Sequence, residues 1–258
     1  MLLAFDVGNT TIAVGLFRGR KLVKSWKIKT DNDTTADEYG AVLLDLIEIA
    51  GLEAGKVTGA IISSVVPPLT PVIEEVCRTY FATTASVVGP GLKTGMPILY
   101  ENPLEVGADR ITASVAAFEK YGGPLIVLDF GTATTFDAVS AKGEYLGGAI
   151  APGIRISAEA LYLKTARLPR IEIRKPKRAI GRTTVSSMQS GLYFGYIGLV
   201  TKTIEEIRKE LGQDARVIAT GGFGGQIASE LTEIEAYEPD LVLEGLRIIH
   251  ERNRDGRD

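Results

Sequence analysis

A short pattern occurs twice in this chain, as Asp6-Val7-Gly8-Asn9-Thr10-Thr11 and as Asp129-Phe130-Gly131-Thr132-Ala133-Thr134, each time at the end of an apolar run. In both copies a predicted strand (residues 2–6 and 125–129) delivers an acid to a glycine turn with hydroxyls directly behind it. Glycine lacks the Cβ that would hold an anion away from the backbone amides, so the turn suits phosphate and the acid suits a metal. A single Asp-x-Gly-x-Thr is also an ordinary strand-ending turn. Two copies, each followed by a β-rich run (residues 11–17 and 135–140), imply instead a duplicated nucleotide-binding fold.

The rest of the chain repeats around the same two points. After the first turn come strands over 11–17 and 21–29 and a helix over 35–50, with apolar residues at helical spacing and Asp33 or Thr34 as its cap. A strand at 60–66, a helix at 71–80 and a short strand at 85–88 complete a βββαβαβ half. From Pro124 the order restarts, with strands at 125–129, 135–140 and 144–150 and helices from Ile154 and over 185–211. Strands at 216–219 and 234–237 and a last helix over 240–252 follow. A helix over 103–121 joins the halves. The expected architecture is two α/β lobes, 1–121 and 122–258, whose acid turns face one cleft.

Composition excludes several classes. At 258 residues, 45% hydrophobic and 24% charged, the chain is an ordinary globular one with material for two cores. A net charge of −3 argues against a nucleic-acid partner. The basic stretch at 164–182 reads better as a solvated loop. Cys77 is the only cysteine, so no internal disulfide or thiolate cluster forms, and a buried reduced thiol is expected. No run of 18 apolar residues occurs and the N-terminus lacks a basic leader, so no membrane span and a cytoplasmic location are expected.

His250 is the single histidine, in a charged stretch of the last helix, which removes Ser-His, Cys-His and metal-His chemistry. Carboxylates remain as candidates for base or metal ligand. Asp109 and Arg110 start the joining helix, beside amides that favour anions, although an acid and a solvated Arg at a helix start are commonplace. Thr220-Gly221-Gly222-Phe223-Gly224-Gly225 could bring adenine or ribose against the backbone, or be a plain βα turn. Gly191, Gly195 and Gly198 recur at helical spacing and read as close helix packing or a subunit contact.

Taken as an ordered set, these motifs resemble the type III pantothenate kinases, of the acetate and sugar kinase, Hsp70 and actin superfamily. The resemblance runs through Asp6 to Thr10, Tyr100-Glu101-Asn102-Pro103, Gly107-Ala108-Asp109-Arg110 and Asp129-Phe130-Gly131-Thr132-Ala133. It continues through Gly147-Gly148-Ala149-Ile150-Ala151-Pro152-Gly153 and through Thr184 and Met188-Gln189-Ser190-Gly191, and covers nearly the whole chain. It implies duplicated ribonuclease H-like, actin-like ATPase lobes, each with a mixed five-stranded sheet. It implies that Asp6, Val7, Gly8, Asn9, Thr10, Thr11, Ile12, Ala13 and Thr132 hold ATP, and that Tyr100, Gly107, Ala108, Asp109, Arg110 and Thr184 hold pantothenate. Asp109 becomes the general base. Asp129 would hold a monovalent cation, K+ or NH4+, and Asp6 would order Mg2+ through water. A homodimer that completes the pantothenate pocket is also implied. Thr183 and Ser187 depart from the family's usual Asn and Ala and leave Thr184 in place. A kinase of another small alcohol or sugar, a regulatory ATP-binding protein and a phosphoanhydride hydrolase are the competing readings.

Overall fold

The computed structural model describes residues 1–254. The chain divides into two compact units, Met1–Tyr121 with the C-terminal segment from Asp240, and Gly122–Pro239. The first unit holds strands β1 (Leu2–Val7), β2 (Thr11–Arg18), β3 (Lys21–Lys29), β4 (Gly59–Ser64) and β5 (Ala85–Val87), with helices α1 (Ala36–Ile49), α2 (Thr70–Phe81) and α3 (Ala108–Tyr121). Its sheet order is β3-β2-β1-β4-β5. β1 pairs antiparallel with β2 and parallel with β4, so the sheet is mixed. β1 is central and nearly continuously apolar, as a strand covered on both faces must be, and Leu3, Phe5 and Val7 are fully buried. At the edge, β3 is half exposed and carries four lysines, which discourages pairing with another chain.

In the second unit lie β6 (Leu125–Phe130), β7 (Ala133–Val139), β8 (Tyr145–Pro152), α4 (Ile154–Leu163), α5 (Thr184–Leu211), β9 (Arg216–Thr220), the single turn α6 (Gly224–Ile227) and β10 (Ala236–Tyr237). The order β10-β9-β6-β7-β8 is the first unit's order repeated, with β6 in the place of β1. Each unit has its own core: Phe5, Leu16, Leu43, Ile62 and Ile73 belong to the first, Ile126, Phe136, Val200 and Val217 to the second.

Four expectations change. Helix α7 (Leu241–Arg254), expected in the second half, packs in the first unit on α3 and on β1, β2 and β4. Gly245 makes this possible, because a Cβ there would collide with the Thr112 carbonyl of α3. The cap of α1 is Thr35, not Asp33 or Thr34: its side chain accepts from Glu38 N–H while Glu38 accepts from Thr35 N–H at 2.8 Å. The joining helix starts at Ala108, after a 3-10 turn at Pro103–Glu105 capped by Asn102. Gly191, Gly195 and Gly198 have no atom within 4 Å of where a Cβ would stand, so they do not pack α5 against another element among the described residues. Cys77 is buried in the first core, and burial pushes its thiol up to about 12, which leaves it inert. No helix among the described residues is long and apolar enough to cross a membrane.

Candidate active site

Asp6 stands near the end of β1, opposite Ala13 of β2 and Ser63 of β4. Four residues, 8–11, separate the paired Val7 and Ile12, and Gly8 N–H closes the turn on Thr11 O at 3.1 Å. Thr30, just past β3, holds this turn twice: its hydroxyl donates to Gly8 O at 2.6 Å and its N–H to Thr10 O at 3.1 Å. Asn9, Thr10 and Thr11 are exposed and able to meet phosphate oxygens, whereas the Val7 and Ile12 side chains lie in the core. Val7 and Ile12 can therefore serve ATP only through their backbone. Thr30 was not among the residues singled out from sequence; its role depends on β3 returning to the turn, which spacing alone does not reveal.

Asp109 occupies the first turn of α3. Arg110 N–H donates to its Oδ1 at 2.8 Å, as expected where a helix start leaves amides unpaired. Gly107 lies directly beneath this carboxylate, and a Cβ there would strike Oδ1. Burial pushes the Asp109 carboxyl above its usual range, partly offset by the amides of Arg110 and Asp109 and by the Arg110 guanidinium. A base with a raised pKa is the better proton acceptor. Val65 connects this acid to the Asp6 strand. Its N–H donates to Val7 O at 3.0 Å, and its Cγ1 would stand 3.5 Å from a Gly107 Cβ. Asp6 and Asp109 are thus brought to the same end of one sheet. Tyr100 is half-buried in the segment leading to α3.

The second turn is built differently. Only 131–133 separate the paired Phe130 and Thr134, so Thr132 is at its exposed tip. Glycines surround it. Gly153, at the start of α4, has no room for a Cβ against the carbonyls of Gly131 and Thr132, and Gly148 none against Phe136 O. Gly221, at φ +91, leaves no room for a Cβ against the Asp129 carboxylate and lies at hydrogen-bonding distance from Tyr237, whose hydroxyl donates to Gly221 O at 2.8 Å. Oδ1 of Asp129 is buried within this packing. Thr134 and Tyr196 of α5 share a buried hydrogen bond of 2.6 Å, and burial pushes the Tyr196 hydroxyl up to about 12. Thr184 is the exposed first residue of α5, which Thr183 caps together with Ser186. His250 has its ring at the first residue of β4, 3.1 Å from where a Gly59 Cβ would stand, and takes no place beside the acids described above.

Among the described residues no group of three or more His, Cys, Asp or Glu could hold a metal by itself. A single carboxylate at the end of β1, Asp6, is chemically suited to sit beside magnesium arriving with nucleotide phosphates and water. The buried oxygen of Asp129 fits a hard monovalent cation.

Residues 2–206 match the model of the type III pantothenate kinase family. A type III pantothenate kinase of Geobacter sulfurreducens is 54% identical over 255 residues, which is 99% of this chain and 100% of that protein. That of Moorella thermoacetica is 53% identical over 253 residues, 98% and 100% of the two chains. Among solved structures, one described as a Baf family transcriptional activator from Campylobacter jejuni superposes with TM-score 0.62 at 19% identity, covering 98% of this chain and 99% of that one. One described as a 2-dehydro-3-deoxygalactonokinase from Sinorhizobium meliloti gives 0.59 at 12%, covering 98% and 96%. The structural likeness shows the fold, duplicated ribonuclease H-like units with matching five-stranded mixed sheets. By the family model and by identity over its whole length, the chain belongs to the type III pantothenate kinases.

Proposed function

We propose a division of roles for a chain that, as a member of its family, phosphorylates pantothenate to 4′-phosphopantothenate with ATP, a step of coenzyme A biosynthesis. Asp109 is the general base. The observation that carries this is its carboxylate, buried over Gly107 at the start of α3, raised in pKa, and tied by Val65 to the end of the Asp6 strand. Asp109 takes the proton of the primary hydroxyl of pantothenate as that oxygen attacks the γ-phosphoryl, and ADP leaves. Tyr100, Gly107, Ala108, Arg110 and Thr184 hold the substrate, Arg110 by pairing with an anionic oxygen. Residues 6–13 and Thr132 hold ATP through turn amides and exposed hydroxyls, which spread the charge that develops on the transferred group.

Asp6 would hold Mg2+ through water and Asp129 a K+ or NH4+ ion; bound there, the cations neutralise phosphate charge. A homodimer is part of the reading, supported by α5, where exposed Phe194 lies among Gly191, Gly195 and Gly198 with open space around them. A cytoplasmic site of action accords with a lone inert thiol and with substrates of central metabolism. The reading is tested by presenting ATP with pantothenate, small sugars and other primary alcohols and following product by mass spectrometry. Phosphorylation confined to pantothenate is expected. Preference for a sugar would overturn the substrate, and phosphate release without any acceptor would overturn the transfer.

A further inference from the structure

Tyr100 belongs to a long stretch with almost no regular structure: residues 88–102 contain no helix and only an isolated bridge at Ile98. Such a stretch is ordered only if something outside it holds it. Its far end is fixed by Asn102, which accepts from Leu104 N–H and donates to Glu105 at 2.8 Å. In the middle the last turn of α7 holds it. Lys93 N–H donates to Asn253 Oδ1 at 3.0 Å, and Asn253 Nδ2 donates to Lys93 O at 2.8 Å. The amide thereby satisfies both backbone groups of one loop residue, as a neighbouring strand would. Asn253 Nδ2 also donates to Ile249 O at 2.7 Å, which ties the side chain to its own helix.

Arg252 holds the next two residues. Its guanidinium donates to Thr94 O and pairs with Glu119 of α3 at 2.8 Å. It lies against Gly95, where a Cβ would come within 2.5 Å of Nη1, and where φ is +74. Met96 follows and is buried. Four residues, 96–99, separate Gly95 from Tyr100, a span of at most about 18 Å, so fixing Lys93, Thr94 and Gly95 restricts where Tyr100 can stand. Helix α7 does not need these two side chains to stay docked, because Leu241, Leu243, Leu246 and Ile249 are buried against the unit.

We infer that Arg252 and Asn253 are positioning residues for the acceptor substrate: from the end of α7 they hold the Lys93 to Gly95 backbone and so keep the Tyr100 segment in its binding conformation. The inference rests on the assignment of Tyr100 to pantothenate. The clamp touches no substrate; removing it lowers the fraction of molecules with the segment in place, and apparent affinity falls by that fraction.

The test uses the full-length protein, Asn253→Ala and Asn253→Asp, the latter keeping the acceptor for Lys93 N–H and losing the donor. Three quantities are read: KM for each substrate with kcat, amide hydrogen exchange over residues 91–100, and the melting temperature. For Asn253→Ala the expected result is about a tenfold rise in KM for pantothenate, with KM for ATP and kcat unchanged, exchange over 91–100 accelerated and melting lowered by only a few degrees. Asn253→Asp should fall between it and the wild type. Faster exchange with an unchanged KM would overturn the positioning role, and unchanged exchange would overturn the clamp. A joint loss of melting temperature and of both affinities would reduce Asn253 to a general structural residue. No turnover of pantothenate by the wild type would remove that substrate, and the positioning role with it, while exchange would still decide whether the clamp exists.

Discussion

The two acid turns begin from one pattern and are secured in different ways. At Asp6 the turn has four residues between its paired strand ends, closes on itself from Gly8 to Thr11, and is held from outside by Thr30. At Asp129 it has three, and close packing of Gly153 and Gly221 against it takes the place of that outside hold. One turn is fixed by hydrogen bonds and leaves Asn9, Thr10 and Thr11 exposed. The other is fixed by the absence of side chains and buries a carboxylate oxygen beside Gly221. Both copies keep the strand, the acid and the first glycine; the proposed division, phosphates mainly at the first copy and a monovalent cation at the second, follows the difference in their surroundings.

The sharpest way to break this contrast is to add a methyl group to a glycine that secures each acid turn. Gly221→Ala places a Cβ against the Asp129 carboxylate at a φ of +91, and we expect a loss of about 2–4 kcal/mol with activity abolished. Gly8→Ala meets only Thr11 O at 3.1 Å and should cost about 1 kcal/mol. Denaturant unfolding measures both, and equal losses would erase the distinction. Next in size is the cation contrast. Asp6→Asn should lower turnover about 10- to 100-fold, with a raised magnesium requirement. The wild type is expected to turn over faster in potassium than in sodium buffer, and Asp129→Asn should abolish that difference. Equal wild-type rates in the two buffers would remove the monovalent site.

A smaller effect is expected at Thr30→Val, which deletes the hydroxyl bond to Gly8 O and should cost about 1 kcal/mol, with a several-fold rise in KM for ATP. An unchanged KM would mean that the turn needs no outside support. The smallest effect concerns pH. Because burial raises the folded pKa of Asp109 above its unfolded value, its favourable contribution is complete below the unfolded pKa and is lost as pH rises through the folded one. At neutral pH the buried carboxylate therefore costs stability. Asp109→Asn should melt higher than the wild type at pH 7 to 8, with the gap closing in acid. Parallel melting curves at all pH values would contradict the shift.

Much of this was legible in the sequence because the strands that carry the acids are strongly apolar and end in glycine. The sheet order repeats because the pattern repeats. The cap of α1 was misread as Asp33 or Thr34, although Thr35 followed three residues later by Glu38 is a capping-box signature. The allegiance of α7 was not legible, because it depends on whether Gly245 meets Thr112 of a helix far away in sequence. Nor could spacing say which glycine underlies which acid: Gly107 under Asp109 and Gly221 against Asp129 are products of packing. The glycines of α5 show the reverse case: their spacing suggested close helix packing or a subunit contact, and the structure has open space around them.

The central claim is that Asp109 takes the proton, and the most direct measurement compares the wild type with Asp109→Asn for formation of 4′-phosphopantothenate by mass spectrometry, with ATP binding measured on the same samples. The amide keeps the shape of the carboxylate and cannot accept the proton. The account predicts a folded variant that binds ATP as the wild type does and forms product at least about 100-fold more slowly. Near wild-type product formation by the folded variant would contradict it.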